Sequence, residues 1–181
     1  TFHLSEVGII FGNSFIRANQ ATRANGKSVN IFEAPQQAML GKIDFSIRIF
    51  EKNVRIIKRK IIASHELNEK VDIIKVIPST DIESLSKYLK QLDGIIFDLE
   101  YYSDIPDGVL SLFDKKTMRI PIVLFWPNSK GLIIKEKHII IASQLTLETT
   151  LVKFMWALGQ SKDTHTIKKL MLTNLAGEMS T

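Results

Sequence analysis

The chain of 181 residues contains no cysteine, which removes disulfide scaffolds, thiolate metal sites and cysteine nucleophiles together. A thiol-free chain suits a reducing compartment, and a cytoplasmic location is expected. Long apolar runs are missing too. The longest are stretches such as Ile120–Trp126, well short of the roughly 18–20 residues that a membrane span requires. No membrane contact by this segment is expected. Several catalytic signatures are also lacking: there is no GxSxG elbow for Ser/His/Asp chemistry, no Walker A loop and no HExxH pair. His3, His65, His138 and His165 are scattered without an i,i+4 pair, so no metal is expected. The stretch GIIFG at Gly8–Gly12 lacks the strand–helix setting of a dinucleotide fingerprint, and no cofactor is expected.

What is present is ordinary globular composition. Hydrophobic residues make up 45% and charged residues 24%, apolar enough to bury a core. The length fits one domain with an appendage. The chain opens on Thr1 and not methionine, so a piece of a longer protein is expected. Lys and Arg number 24 against 19 Asp and Glu, a net charge of +5. Three positives crowd into Lys58-Arg59-Lys60, with Arg55 one turn earlier. With Val54, Ile57 and Ile61 on the opposite stripe, this reads as the solvated face of an amphipathic helix. It does not read as a phosphate-binding patch, and no specific nucleic-acid partner is expected.

From residue 45 onward, short β-branched runs alternate with helical periodicity. Phe45–Ile49 has the two-residue period of a strand. A single long helix over 36–67 would also fit the 3–4 spacing of Ile43, Ile47, Phe50, Val54, Ile57 and Ile61, but the β-branched alternation favours a strand followed by a helix over Val54–Leu67. Val71–Ile77, Gly94–Leu99, Ile120–Trp126 and His138–Ala142 complete five strands. Helices are expected after Ser79–Asp81, over Val109–Lys116, and from Thr146 to about Leu158. This order predicts an α/β fold: a five-stranded parallel sheet, doubly wound. Functional groups then gather at the carboxyl ends of the strands, at Glu51-Lys52, Pro78, Asp98, Trp126 and Ser143.

The stretch DGIIFDL ending in Asp98, the following Gly108, the run IPIVL, and the later LTLETTLVKFMWAL together resemble the CheY-like receiver domain of bacterial two-component signalling. The resemblance covers residues 44–160 and implies the strand order 2-1-3-4-5. It leaves residues 1–43 as an N-terminal extension or linker, with a strand at Val7–Phe11, and 161–181 as a tail with a short helix around Ile167–Leu175. Asp98 matches the family's phosphoacceptor. The acidic pair becomes Glu51 and Lys52, the hydroxyl position becomes Trp126, and the lysine position becomes Ser143. Lys52 opposes Mg²⁺, and Trp126 fills the phosphoryl site. The resemblance therefore implies a vestigial phosphoacceptor pocket in a non-catalytic pseudo-receiver. Such a domain acts through contacts with other domains of its protein, with a partner protein, or with a second copy.

The opening TFHL resembles the last strand of a histidine-kinase ATPase domain and implies a hybrid sensor kinase as parent. The apolar excess of the last helix marks Phe154 and Trp156 as interface residues. Two alternatives remain: a receiver still phosphorylated on Asp98, and a small enzyme of the nucleoside deoxyribosyltransferase kind, whose acidic-Gly stretch Asp107-Gly108 mimics.

Overall fold

The computed structural model describes residues 4–24, 31–56, 63–81, 84–113, 120–129, 134 and 136–180. The chain divides into two compact units. The first comprises Thr1–Ala63, Gln144–Thr149 and Asn174–Thr181, and the second Ser64–Ser143 and Thr150–Thr173.

The first unit is built on hairpins. β1 (Gly8–Phe11) turns back into β2 (Ser14–Arg17) through Gly12, whose φ of 56° suits the tight turn. β3 (Thr22–Arg23) pairs with β4 (Phe32–Glu33), and the Phe32 ring meets Phe11 edge-on with centroids 5.9 Å apart. β5 (Met39–Ile43) and β6 (Ile47–Ile49) complete an antiparallel sheet of order β1-β2-β5-β6. Ile16, Ala38 and Leu40 are buried in this unit.

The second unit holds a parallel sheet of β7 (Val71–Lys75), β8 (Gly94–Asp98), β9 (Ile122–Phe125) and β10 (Ile139–Ala142), placed side by side in chain order. β8 and β9 are buried at every position, as nearly continuous apolar strands covered on both faces must be. Ile95, Phe97 and Leu99 point one way, into a cluster with Leu89 of α1 (Ser86–Leu89) and with Val109 and Leu112 of α2 (Asp107–Phe113). Gly94 points the other way, under the Phe154 and Leu158 side chains of α3 (Leu147–Gln160). α4 (Thr164–Met171) follows, capped by the Asp163 carboxylate, which accepts from Thr166 N at 2.8 Å.

This architecture corrects the five-stranded, doubly wound sheet of order 2-1-3-4-5. Ile47–Ile49 is extended, yet it pairs antiparallel with β5 in the first unit. The cause is a turn at Asp44-Phe45-Ser46. The Asp44 carboxylate accepts from Ser46 N at 3.2 Å and from Arg48 Nη2 at 2.8 Å, which folds the strand back on Met39–Ile43. With that strand gone, β7 pairs directly with β8, Val71 opposite Gly94 and Lys75 opposite Asp98. The long-helix alternative fails with it, since 36–38 is a single 3₁₀ turn and 39–56 is strands and turns.

Of the helix expected over Val54–Leu67, residues 57–62 lie outside the described residues, and so does the Lys58-Arg59-Lys60 run. Its described ends, 54–56 and 63–67, are not helical. The later end lies along α3: Ser64 Oγ donates to Gln160 Oε1 at 3.1 Å, and Asn68 N to the Met155 carbonyl at 2.9 Å.

Candidate functional site

In parallel α/β sheets, ligands meet the chain at the carboxyl ends of the strands. Here those ends carry Lys75, Asp98, Trp126 and Ser143. Asp98 closes β8 and is only 5% exposed. Its Oδ1 accepts from Glu100 N at 3.0 Å, so the carboxylate is engaged in shaping the turn that follows. That turn is fastened from several sides. Tyr102 N donates to the Leu99 carbonyl at 3.0 Å and Leu99 N to Phe125 O at 2.9 Å. The buried Trp126 indole donates to Tyr102 O at 2.7 Å, and Asn128 Nδ2 to Glu100 O at 3.1 Å. Tyr101 is 75% exposed, with Lys75 Nζ 4.8 Å from its ring centroid.

The result is a fixed turn at the sheet's carboxyl edge that bears a cation, a phenol and carboxylates. It suits the recognition of a small polar molecule carrying both signs of charge. Among the described residues, no group of three or more His, Cys, Asp or Glu is placed to hold a metal ion.

Asp98, Trp126 and Ser143 thus end three neighbouring strands of one sheet. Glu51 and Lys52 belong to the first unit, both exposed in the turn after β6. Phe154 is fully buried within the second unit against Gly94, whereas Trp156 is half-buried. Lys75 and Tyr101 carried no sequence signal, because their approach depends on the turn after β8.

A second cluster also escaped the sequence reading. In the first unit, Glu6 is buried with Arg17, their side chains 3% and 6% exposed. The Glu6 carboxylate receives Arg17 Nε, Arg17 Nη2 at 3.1 Å and Arg55 N at 2.6 Å. Burial pushes the Glu6 carboxyl up, but the hydrogen bonds from Arg17 and Arg55 and their charges outweigh it and hold it below its ordinary value.

Two kinds of comparison with known proteins agree. The chain is 26% identical over 181 residues to a subunit of the glutamyl-tRNA(Gln) amidotransferase of Methanosphaera stadtmanae, covering 91% of this chain and 41% of that protein. It is 23% identical over 185 residues to the L-asparaginase of Thermococcus kodakarensis, covering 95% and 56%. The solved thermostable L-asparaginase from Thermococcus kodakarensis superposes with a TM-score of 0.74 at 21% identity, covering 97% of this chain and 58% of that one. L-asparaginase I of Vibrio cholerae superposes with a TM-score of 0.79 at 18% identity, covering 98% and 58%. No family model matches the chain. The chain spans about half the length of the proteins it matches.

Over nearly its whole length, then, the fold is that found in L-asparaginase structures. This overturns the receiver-like reading and the two-component, histidine-kinase setting that came with it. The non-catalytic pseudo-receiver, the receiver phosphorylated on Asp98 and the nucleoside deoxyribosyltransferase alternative fall together. The expectation of a non-enzyme is corrected as well, since the relatives are by name enzymes or enzyme subunits. One relative is by name part of a larger assembly, which fits the broad expectation of a protein partner. No helix of the described residues is long and apolar enough to cross a membrane.

Proposed function

We propose that the protein to which this chain belongs releases ammonia from the side-chain amide of an amino acid, with L-asparagine the first candidate. One observation carries this reading: sequence comparison aligns nearly the whole chain with L-asparaginase and with an amidotransferase component, and the fold matches L-asparaginases over the same span. The names of both relatives imply work on an amide. In hydrolysis, the carbonyl carbon gains an oxygen, the C–N bond breaks, and the nitrogen leaves as ammonia after taking a proton. Such a step needs a nucleophile and donors for the developing oxyanion.

The carboxyl-edge turn supports binding of the substrate's charged end. Lys75 offers a cation to an α-carboxylate, and Glu100, in the turn that Asp98 holds, offers a carboxylate to an α-ammonium. A protein partner, as the name of the Methanosphaera stadtmanae relative suggests for that protein, belongs to this reading. The test is ammonia release by the purified protein from L-asparagine and from L-glutamine. Turnover of either supports the proposal, and folded protein that releases none from both overturns it.

A further inference from the structure

Residues 174–180 form neither helix nor strand, yet Gly177 and Glu178 are buried in the first unit. The segment is shaped by itself. Glu178 accepts from Leu175 N at 3.0 Å and Ala176 N at 2.6 Å, and Asn174 Oδ1 accepts from Gly177 N at 2.9 Å. Gly177 sits at φ 78°, where a side chain would be strained, and its Cα faces Arg55 and Arg17.

The attachments of this segment to the unit are polar. Gln20 Nε2 donates to Gly177 O at 2.6 Å and Met179 O at 3.0 Å, Asn19 Nδ2 to Ala176 O at 3.0 Å, and Ser180 N to Gln144 O at 2.8 Å. Leu175 keeps 39% of its surface exposed and Ala176 is exposed, so polar contacts carry much of the holding.

Beneath the segment, polar atoms are left over. Asn19 Oδ1, Gln20 Oε1 and Arg55 Nη1 are all buried without a hydrogen-bond partner. Buried polar groups are nearly always satisfied, and an orphan penalises the state that buries it. All three belong to residues that touch the segment or lie under Gly177. Lifting the segment admits water to them, so opening relieves what closing imposes. We propose that residues 174–180 are a detachable strap, whose release uncovers Arg55 and the amides of Asn19 and Gln20 while the antiparallel sheet stays folded. The strap would be a conformational device of the first unit, independent of the amide chemistry proposed above.

Hydrogen exchange on the full chain tests this, together with phenylglyoxal labelling of arginine read by peptide mass. Amides of 175–180 should exchange at least about tenfold faster than those of β2 and β5, through an opening of their own. Gly177→Ala adds a Cβ 2.7 Å from Arg55 Cδ at a positive φ. It should speed strap exchange by a further factor of about ten and raise Arg55 labelling, leaving β2 and β5 unchanged. Gln20→Leu, which deletes two strap donors, should act in the same direction. The proposal is overturned if strap and sheet exchange together, if both variants lose sheet protection along with the strap, or if Arg55 labelling stays constant while strap exchange accelerates.

Discussion

Glu6 and Arg17 show how much one ion pair can carry when neither partner reaches water. Arg17 Nη2 also donates to the Asn53 carbonyl at 2.7 Å, so the guanidinium ties the start of the chain, β2 and the 50–55 turn together. Removing one member of such a pair strands the other. Glu6→Gln is therefore expected to destabilise the protein by about 3–5 kcal/mol, measured by urea denaturation at neutral pH. The pH dependence follows from the depressed carboxyl. Its stabilisation is fully present above the ordinary value of 4.5 and is lost as pH falls through the lower folded value. The gap between wild type and Glu6→Gln should narrow below about pH 4.5, and a gap that persists into acid would contradict the argument.

His138, at the foot of β10, has the opposite problem: its Nε2 is buried with no partner. Burial lowers its affinity for a proton; Glu136 pulls it back up, and the Lys168 charge lowers it again, leaving a net shift below 6.5. The neutral ring is what the fold accepts, so this contribution to stability holds above pH 6.5 and is lost as pH falls through the folded value. An NMR titration of the imidazole at or above 6.5 would refute this.

At the scale of elements, the clearest test is the crossing of α3 over β8. A Cβ on Gly94 would stand 2.6 Å from the Phe154 ring and 2.8 Å from Leu158 Cδ1. Gly94→Ala should cost about 1–3 kcal/mol by overpacking, and Phe154→Leu should recover part of that loss in the double variant. Phe154→Ala alone should lower stability by about 3–5 kcal/mol, because the ring is core.

The same elements show what was legible in the sequence. β8 and β9 could be read because both faces are apolar, and the start of α3 because Thr146 Oγ1 does accept from Thr149 N, at 3.2 Å. Ile47–Ile49 was legible as a strand but not as a partner for Met39–Ile43. Alternation marks one buried face and is silent on direction, and the deciding Asp44-Phe45-Ser46 turn is built of polar and aromatic residues that also fit inside a strand. One misplaced strand was enough to turn a four-stranded parallel sheet, preceded in the chain by an antiparallel one, into a receiver. The candidate site suffered likewise: the positions of Asp98, Trp126 and Ser143 at strand ends follow from strand boundaries, whereas the pairing of Lys75 with Tyr101 needs the folded turn.

For the molecule as a whole, fold likeness and chemistry have to be tested separately. A superposition over 97–98% of the chain at 18–21% identity fixes the path of the backbone and leaves the ligand open. Binding can be read without turnover, through linkage. A ligand held by the native state at a hundred times its Kd adds about 2.7 kcal/mol of stability, which for a protein of this size raises Tm by roughly 5–10 °C. The product of the proposed reaction, L-aspartate, carries both the α-groups and the acid left after ammonia departs. It is therefore expected to stabilise the protein in a concentration-dependent way, with D-aspartate weaker because its ammonium and carboxylate exchange places about the α-carbon. Lys75→Met should reduce the L-aspartate shift while leaving the ligand-free Tm within about 1 °C, since Lys75 is an exposed strand-end residue. A shift that is equal for the two enantiomers, or one untouched by Lys75→Met, would place the amino-acid site away from the carboxyl edge of the parallel sheet. No shift with L-aspartate, L-asparagine or L-glutamine would separate this chain from the chemistry of the proteins whose fold it shares.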